Sequence, residues 1–280
     1  MKILIIGNGY LGKRCADYWP DAVISDKKIY SVADARAVLQ KHQPAVVLNA
    51  AGVVGKPNVD WCESHPRETI IGNTILPLQI AEACQEAGVY LLHLGTGCVF
   101  YDASPDPPGW REDDFANPVA VYTRTKYAAD LALSTLPNIG IARIRMPVDY
   151  LPVPNNLIYK LVSFPRVIDV ENSVTIVEDM VLACRRLLEK RAPGIFHVTN
   201  PGAIRHREII ALYEELVDPA HRNEWITASE LVAQGLAQKK RSNVILQSSR
   251  LEQYGIRLRP IKEALRDTLI KYRIAKISQT

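Results

Sequence analysis

The chain has 280 residues, 48% of them apolar and 23% charged, and a net charge of +4. That is the balance of an ordinary globular protein, large enough for one α/β domain or a main domain with a smaller lobe. The slight positive excess tolerates an anionic ligand but argues against nucleic acid as a partner, and the densest basic run, "QKKR" at 238–241, reads as a solvated loop.

The chain opens with "KILII", a short β-rich run that stops at Gly7. It is too short for a signal peptide's apolar core. No run of about 18 apolar residues follows anywhere, so no membrane span is expected. "GYLGKRCADYW" then has helical periodicity, "AVIS" is a second strand, and "SVADARAVLQKHQ" is an amphipathic helix with Ser31 as its N-cap. "AVVLNAAG" is a third strand. "RETIIGNTILPLQIAEACQEAG" reads as one long helix ended by Gly88. "VYLLHL" is a fourth strand, "YTRTKYAADLALSTL" a helix and "IGIARIRM" a fifth strand. This alternation predicts right-handed crossovers and a doubly wound parallel sheet of Rossmann type over residues 1–150. Beyond it, "PRVIDV", "GIFHVT" and three helical stretches predict a smaller α/β lobe over 151–280, with some elements returning to the main domain. The loop at 101–118 is rich in proline and acid, and unstructured loops of that length are usually functional or mobile. Cysteines 15, 62, 84, 98 and 184 are scattered, with no CxxC pair. This predicts neither a disulfide framework nor a metal site, and fits a reducing cytoplasm.

"GNGYLG" places Gly7, Gly9 and Gly12 in G-x-G-x-x-G spacing between the first strand and the first helix. Gly7 permits the tight turn, Gly9 lets backbone approach a pyrophosphate, and Gly12 lets helix pack on strand. The helix N-terminus, from Tyr10 and Leu11, offers free N–H groups to phosphates. Asp26 follows the second strand, where an acid would hold the adenosine ribose and favour NADH. Lys27 and Lys28 come next, and a cation there would accept a 2′-phosphate and favour NADPH. Ala50, Ala51 and Gly52 end the third strand with side chains small enough to leave room for the dinucleotide.

Tyr122 and Lys126 stand four residues apart on a predicted helix and so share a face. An ammonium beside a phenol favours the phenolate, and a phenol tuned this way can pass a proton to a carbonyl oxygen while hydride reaches the carbon. Thr96, at the end of the fourth strand, can hold the same oxygen. Cys98, two residues on, is either a small buried hydrophobe or a reactive thiol.

Here the chain resembles the extended short-chain dehydrogenase/reductases. It is similar to the dTDP-4-dehydrorhamnose reductases, and more so to the bifunctional nucleotide-rhamnose synthases, which are 3,5-epimerase/4-reductases. "NAAGVVGKPNVDWCESH", "GTGCVF", "YTRTK", "RIRMPV", "NSVTI", "TNPG" and "RSN" at 241–243 carry the resemblance. It implies a reductase triad of Thr96, Tyr122 and Lys126, with Tyr122 and Lys126 also touching the cofactor. It further implies epimerisation by Cys98 with Lys160, and substrate contacts from Thr96, Cys98, Asn156 and Arg241, the last toward the diphosphate. The implied substrate is a UDP- or dTDP-linked 4-keto-6-deoxyglucose. The implied reductant is NADPH, with NADH as the alternative, and a homodimer is compatible with the family. The other readings are a reductase with Cys98 inert, and a non-catalytic nucleotide-binding regulatory subunit, which would not need the three triad residues together.

Overall fold

The computed structural model describes residues 1–56 and 58–278. Its core is a six-stranded, all-parallel sheet made of β1 (Ile3–Ile6), β2 (Ala22–Ile24), β3 (Val46–Asn49), β4 (Tyr90–Thr96), β5 (Ile139–Ile144) and β6 (Gly194–His197). The strand order is β6-β5-β4-β3-β1-β2. The winding reverses between β1 and β3, and ligands of such sheets bind beyond the carboxyl ends of the strands at that reversal.

Alternation within the strands divides the core into two layers. Ile3 and Ile5, Val46 and Leu48, Leu92 and Leu94 face one layer, with α1 (Tyr10–Tyr18) and α6 (Val177–Lys190). Leu4 and Ile6, Val47, Leu91 and Ile141 face the other, with α2 (Val32–His42), α3 (Leu76–Glu86) and α4 (Val121–Leu133). This is period-two burial on both faces, the pattern of a sheet covered by helices on each side. Ser31 caps α2 by accepting from Asp34 N–H, and Gly88 follows α3 at φ +64°, both as the sequence predicts.

Two readings of the sequence are revised. "GIFHVT" is not a strand of the smaller lobe: it crosses back to pair with β5 and closes the main sheet, and the helix before it, α6, packs in the main core. The long helix predicted from Arg67 is interrupted: Pro66–Ile70 is helical, Ile71–Ile75 widens to a π turn, and α3 resumes at Leu76. Val53 sits against this turn so closely that a Cβ on Gly72 would lie 2.4 Å from Val53 Cγ2. Such single π turns occur mostly where a helix serves a site.

The smaller lobe has its own apolar core. Val148, Ile158, Leu161, Ile176, Ile210 and Leu265 belong to it, contributed in part by α5 (Leu157–Ser163), α7 (His206–Leu216) and α8 (Ile261–Ile277). Arg14 of α1 ties the two parts together through a two-oxygen ion pair with the buried Asp149, and Tyr10 donates to the same carboxylate at 2.8 Å. No described helix is long and apolar enough to cross a membrane, and the described residues hold no cluster of metal-ligating side chains.

Candidate active site

The glycine turn lies at the winding reversal. Gly7 has φ +114°, and a Cβ there would fall 2.5 Å from Ala51 N, so β1 and the end of β3 approach as only glycine allows. A Cβ on Gly12 would meet Gly7 O at 2.1 Å. Gly9 is different: among the described residues, no atom beyond its own chain neighbours lies within 4 Å of the place its Cβ would take. It opens α1 with no side-chain cap and no acid in the first turn. A helix start with uncapped N–H groups beside open space suits a diphosphate, so these residues fit a dinucleotide. Tyr10 stands here too, but its hydroxyl is turned to Asp149. Asp26, Lys27 and Lys28 are all exposed; Lys41 binds Asp26 at 2.8 Å and Asp34 binds Lys27 at 2.9 Å. Asn73, projecting from the π turn, accepts from Val53 N–H and donates to Val53 O, each at 2.8 Å, which pins the loop after Gly52 to the helix.

Thr96 is the last residue of β4 and is buried. Its hydroxyl accepts from Cys98 N–H at 3.2 Å, starting the short 3₁₀ turn Gly97–Val99. Tyr122 lies in the first turn of α4, whose Val121 N–H is capped by Glu63 at 2.7 Å. This gives "WCESH" a task at the start of the helix that carries Tyr122; in the same stretch Trp61 and His65 stack at 3.8 Å and Cys62 is buried. Burial and the neighbouring Cys98 push the Tyr122 phenol above its ordinary range, while a hydrogen bond with the Thr96 side chain opposes them. The sequence predicts a phenol tuned downward by Lys126. The structure instead shifts it upward, with burial as the largest cause, while Lys126 Nζ is turned to Leu94 O and His93.

Lys126 is buried and its Nζ donates to Leu94 O at 2.8 Å. His93 Nε2 stands 3.0 Å away, and His93 Nδ1 is 3.0 Å from Asn49 Nδ2. Burial pushes the Lys126 pKa down to about 8, with Asp130 acting against it.

Cys98, half-buried, has a neighbour the sequence did not disclose. Arg145, just beyond β5 and 1% exposed, reaches Cys98 Sγ with Nη1 at 3.3 Å. The rest of its guanidinium is bound by Ser242 Oγ, Ser242 O and Asn172 Oδ1, and its Nε has no partner among the described residues. No carboxylate is among these contacts. The signal was a second arginine in the apolar run "IGIARIRM", on the same strand face as Arg143. Lys160 of α5 comes from the smaller lobe; burial lowers its pKa and the neighbourhood of Cys98 opposes that shift, so the two share one electrostatic environment.

Two expected substrate contacts are occupied. Asn156 is fully buried: Oδ1 accepts from Asp149 and Ile158 N–H, and Nδ2 donates to Asp149 O and Leu151 O. Its amide is saturated by the N-cap of α5 and the preceding loop, which leaves nothing for a sugar. Arg241 is bound through both terminal nitrogens by Asp60, at 2.9 and 2.7 Å, so a diphosphate would have to compete with that carboxylate.

A glycine-turn dinucleotide cradle beside a threonine, tyrosine and lysine is the architecture of a short-chain-type sugar-nucleotide reductase. The chain matches the RmlD substrate binding domain model over residues 1–274, and it belongs to that dTDP-4-dehydrorhamnose reductase family. It is similar to the bifunctional dTDP-4-dehydrorhamnose 3,5-epimerase/dTDP-4-dehydrorhamnose reductase of Arabidopsis thaliana, with 34% identity covering 92% of this chain and 87% of the relative. It is 32% identical to a trifunctional Arabidopsis UDP-glucose 4,6-dehydratase/epimerase/reductase, of whose length the match spans 41%. Among solved structures, the L780 UDP-rhamnose synthase of Acanthamoeba polyphaga mimivirus superimposes with a TM-score of 0.91 at 26% identity, over 97% of this chain and 99% of that one.

Proposed function

We propose that the chain reduces a nucleotide-linked 4-keto-6-deoxyhexose with NADPH, after epimerising it at C3 and C5, to give a nucleotide-L-rhamnose-type sugar. The observation that supports this reading is that the Tyr122 phenol interacts with the Thr96 side chain and with Cys98, and that Lys160 lies within electrostatic reach of the same Cys98. The relatives named for epimerase and reductase activities together support the same reading.

The C4 carbonyl acidifies the hydrogens on C3 and C5. One of Cys98 and Lys160 takes such a proton, leaving an enolate whose oxygen lies against the Tyr122 and Thr96 hydroxyls, and the other returns a proton to the opposite face. Burial suits Lys160 to this exchange, since its amine is more readily uncharged than an exposed lysine's. In the reduction Tyr122 gives its proton to the C4 oxygen, and a phenol held protonated by burial is the correct starting state. When bound, NADPH supplies the hydride to C4. Lys41 neutralises Asp26, which removes the repulsion a 2′-phosphate would meet, and Lys28 stays exposed to attract it; this supports NADPH over NADH.

The test is to supply UDP- and dTDP-4-keto-6-deoxyglucose in D2O and follow NADPH absorbance. Deuterium at C3 and C5 of the reduced product is expected. Cys98→Ala should abolish the label before it abolishes NADPH oxidation. Reduction without label in the wild-type protein would leave a reductase alone; no oxidation with either substrate would remove the enzymatic reading.

A further inference from the structure

Among the described residues three arginines are buried: Arg14, Arg143 and Arg145. Two of them lie against carboxylates, Arg14 Nε donating to Asp149 at 2.7 Å and Arg143 Nε to Asp130 at 2.8 Å. Arg145 meets no carboxylate among the described residues. Its guanidinium sits instead in a socket of neutral oxygens. Nη2 donates to Asn172 Oδ1 and to Ser242 O, and Nη1 donates to Ser242 Oγ at 3.0 Å. The Ser242 hydroxyl gives its own hydrogen to Phe100 O at 2.6 Å, so toward Arg145 it can only accept. Asn172 Oδ1 also accepts from Val244 N–H at 2.9 Å, which fixes the orientation of that amide. A buried guanidinium without an anion is unfavourable. Burial is the largest influence on Arg145 and lowers its pKa; Cys98 comes first among the groups that oppose it.

The contact that completes the socket is Cys98 Sγ, 3.3 Å from Nη1. It depends on Gly97, where a Cβ would collide with Leu246 Cδ1 and lie 3.6 Å from Arg145 Cβ. With no side chain at 97, the turn that carries the thiol packs directly onto Leu246 and the Arg145 stalk. A guanidinium only donates, so Nη1 offers its N–H to a sulfur lone pair, and the thiol's own hydrogen points away from Arg145. We propose that Arg145 is a positioning residue for Cys98, which holds the sulfur in place and offsets the negative charge the sulfur carries whenever it is without its proton. The inference rests on the reading of Cys98 as an epimerising thiol. As the base, Cys98 begins its turn as the thiolate. As the acid, its S–H bond breaks, a C–H bond forms on the sugar, and the electron pair stays on sulfur. Arg145 serves both directions, because a guanidinium stays charged and its donors are fixed before substrate arrives. The other titratable groups around Cys98 are Tyr101, just after the turn, Tyr122 of α4 and Lys160 of α5. The phenols bring no positive charge, and Lys160 exchanges its own proton in the reaction. Arg145 is therefore the constant cation at the sulfur.

The experiment uses the full chain without ligand and follows the rate at which iodoacetamide alkylates Cys98, with the modified peptide identified by mass and Cys98→Ala as the blank. The thiolate is the form that reacts. Arg145→Met should slow the reaction at about pH 7.5 by about tenfold or more, and Arg145→Lys, which keeps the charge, should stay within about threefold of the wild type. The ratio between wild type and Arg145→Met should shrink as pH rises toward about 9.5, because alkali ionises the thiol without help. A smaller loss in Arg145→Met overturns the proposal, as does an equal loss in Arg145→Lys. A ratio that stays constant with pH also overturns it, since that reports changed access to the sulfur. If Arg145→Met does not fold, Cys98→Asp compared with Cys98→Asn decides, both built with Lys160→Met so that Arg145 is the cation left. A carboxylate beside the unpaired guanidinium should raise the melting temperature at pH 7 above that of the amide of the same shape. The advantage should fade as pH falls below about 4, where the unfolded chain's carboxyl takes its proton first. Equal or lower stability of Cys98→Asp overturns the proposal. None of these readouts needs substrate: absence of deuterium labelling would remove the epimerase reading and leave the hold of Arg145 on the sulfur standing.

Discussion

The two sides of the proposed reaction centre are assembled over different chain distances. Thr96, Tyr122 and Lys126 come from β4 and α4, neighbours in one crossover of the sheet. Cys98 faces a group gathered from afar: Arg145 beyond β5, Lys160 on α5, and Ser242 and Asn172, which bind Arg145. The first side depends on a strand and a helix packing as any βα unit does. The second exists only because the smaller lobe docks against the sheet. A site of the first kind leaves its trace as spacing in the sequence, and a site of the second kind does not.

The sharpest test of the contrast is on the near side. Tyr122→Phe removes the proton donor while keeping the ring, and NADPH oxidation should fall by about 10²–10⁴-fold, with thermal stability close to that of the wild type. Loss of less than tenfold would mean that another group delivers the proton. The far side is best broken at the docking bond. Arg14→Met leaves the fully buried Asp149 carboxylate without its cation, and unfolding free energy measured in urea should fall by about 3–5 kcal/mol. Deuterium labelling of the sugar should suffer before the glycine turn loses its shape, because Lys160 follows the lobe.

Acid should then weaken the whole assembly. Burial and Arg143 push His197 down to about 3. The unfolded chain binds this proton below an ordinary histidine pKa, near 6.5, and the folded chain does not until about 3. Stability contributed by the neutral ring is therefore present above about pH 6.5 and lost as pH falls toward 3. About 2 kcal/mol should disappear between pH 7 and pH 5 from this group, and urea titrations of His197→Gln should show a correspondingly flatter profile. The smallest effect separates two glycines of one motif. Gly9→Ala should change stability by less than about 0.5 kcal/mol, since its Cβ meets nothing, yet weaken NADPH binding. Gly7→Ala should destabilise the fold itself, because its Cβ strikes the Ala50–Ala51 backbone.

Much of the near side was legible because its signals are local. Short apolar runs marked all six strands, the Ser31 cap marked a helix start, and Gly7, Thr96, Tyr122 and Lys126 each sit on the elements where their spacing placed them. The misreadings have physical causes. β6 has the composition of any short strand, and pattern alone cannot say which sheet offers it an edge. Asn156 is a polar residue read as a ligand, but a buried amide next to a helix start is drawn to the free N–H groups there. Arg241 is a guanidinium that the fold satisfies with Asp60, 181 residues away.

The sequence by itself determined the parallel sheet, the glycine turn after β1, and the placing of Thr96 at a strand end and of Tyr122 and Lys126 one turn apart on a helix, because crossovers and helical turns impose fixed spacings on the chain. Only the tertiary structure decided what surrounds them: Arg145 at the thiol, Lys160 within its electrostatic reach, and the Asn49–His93 pair at Lys126. Protonation state and charge pairing depend on burial and on partners remote in sequence, and these exist only once the layers have closed over the strand ends.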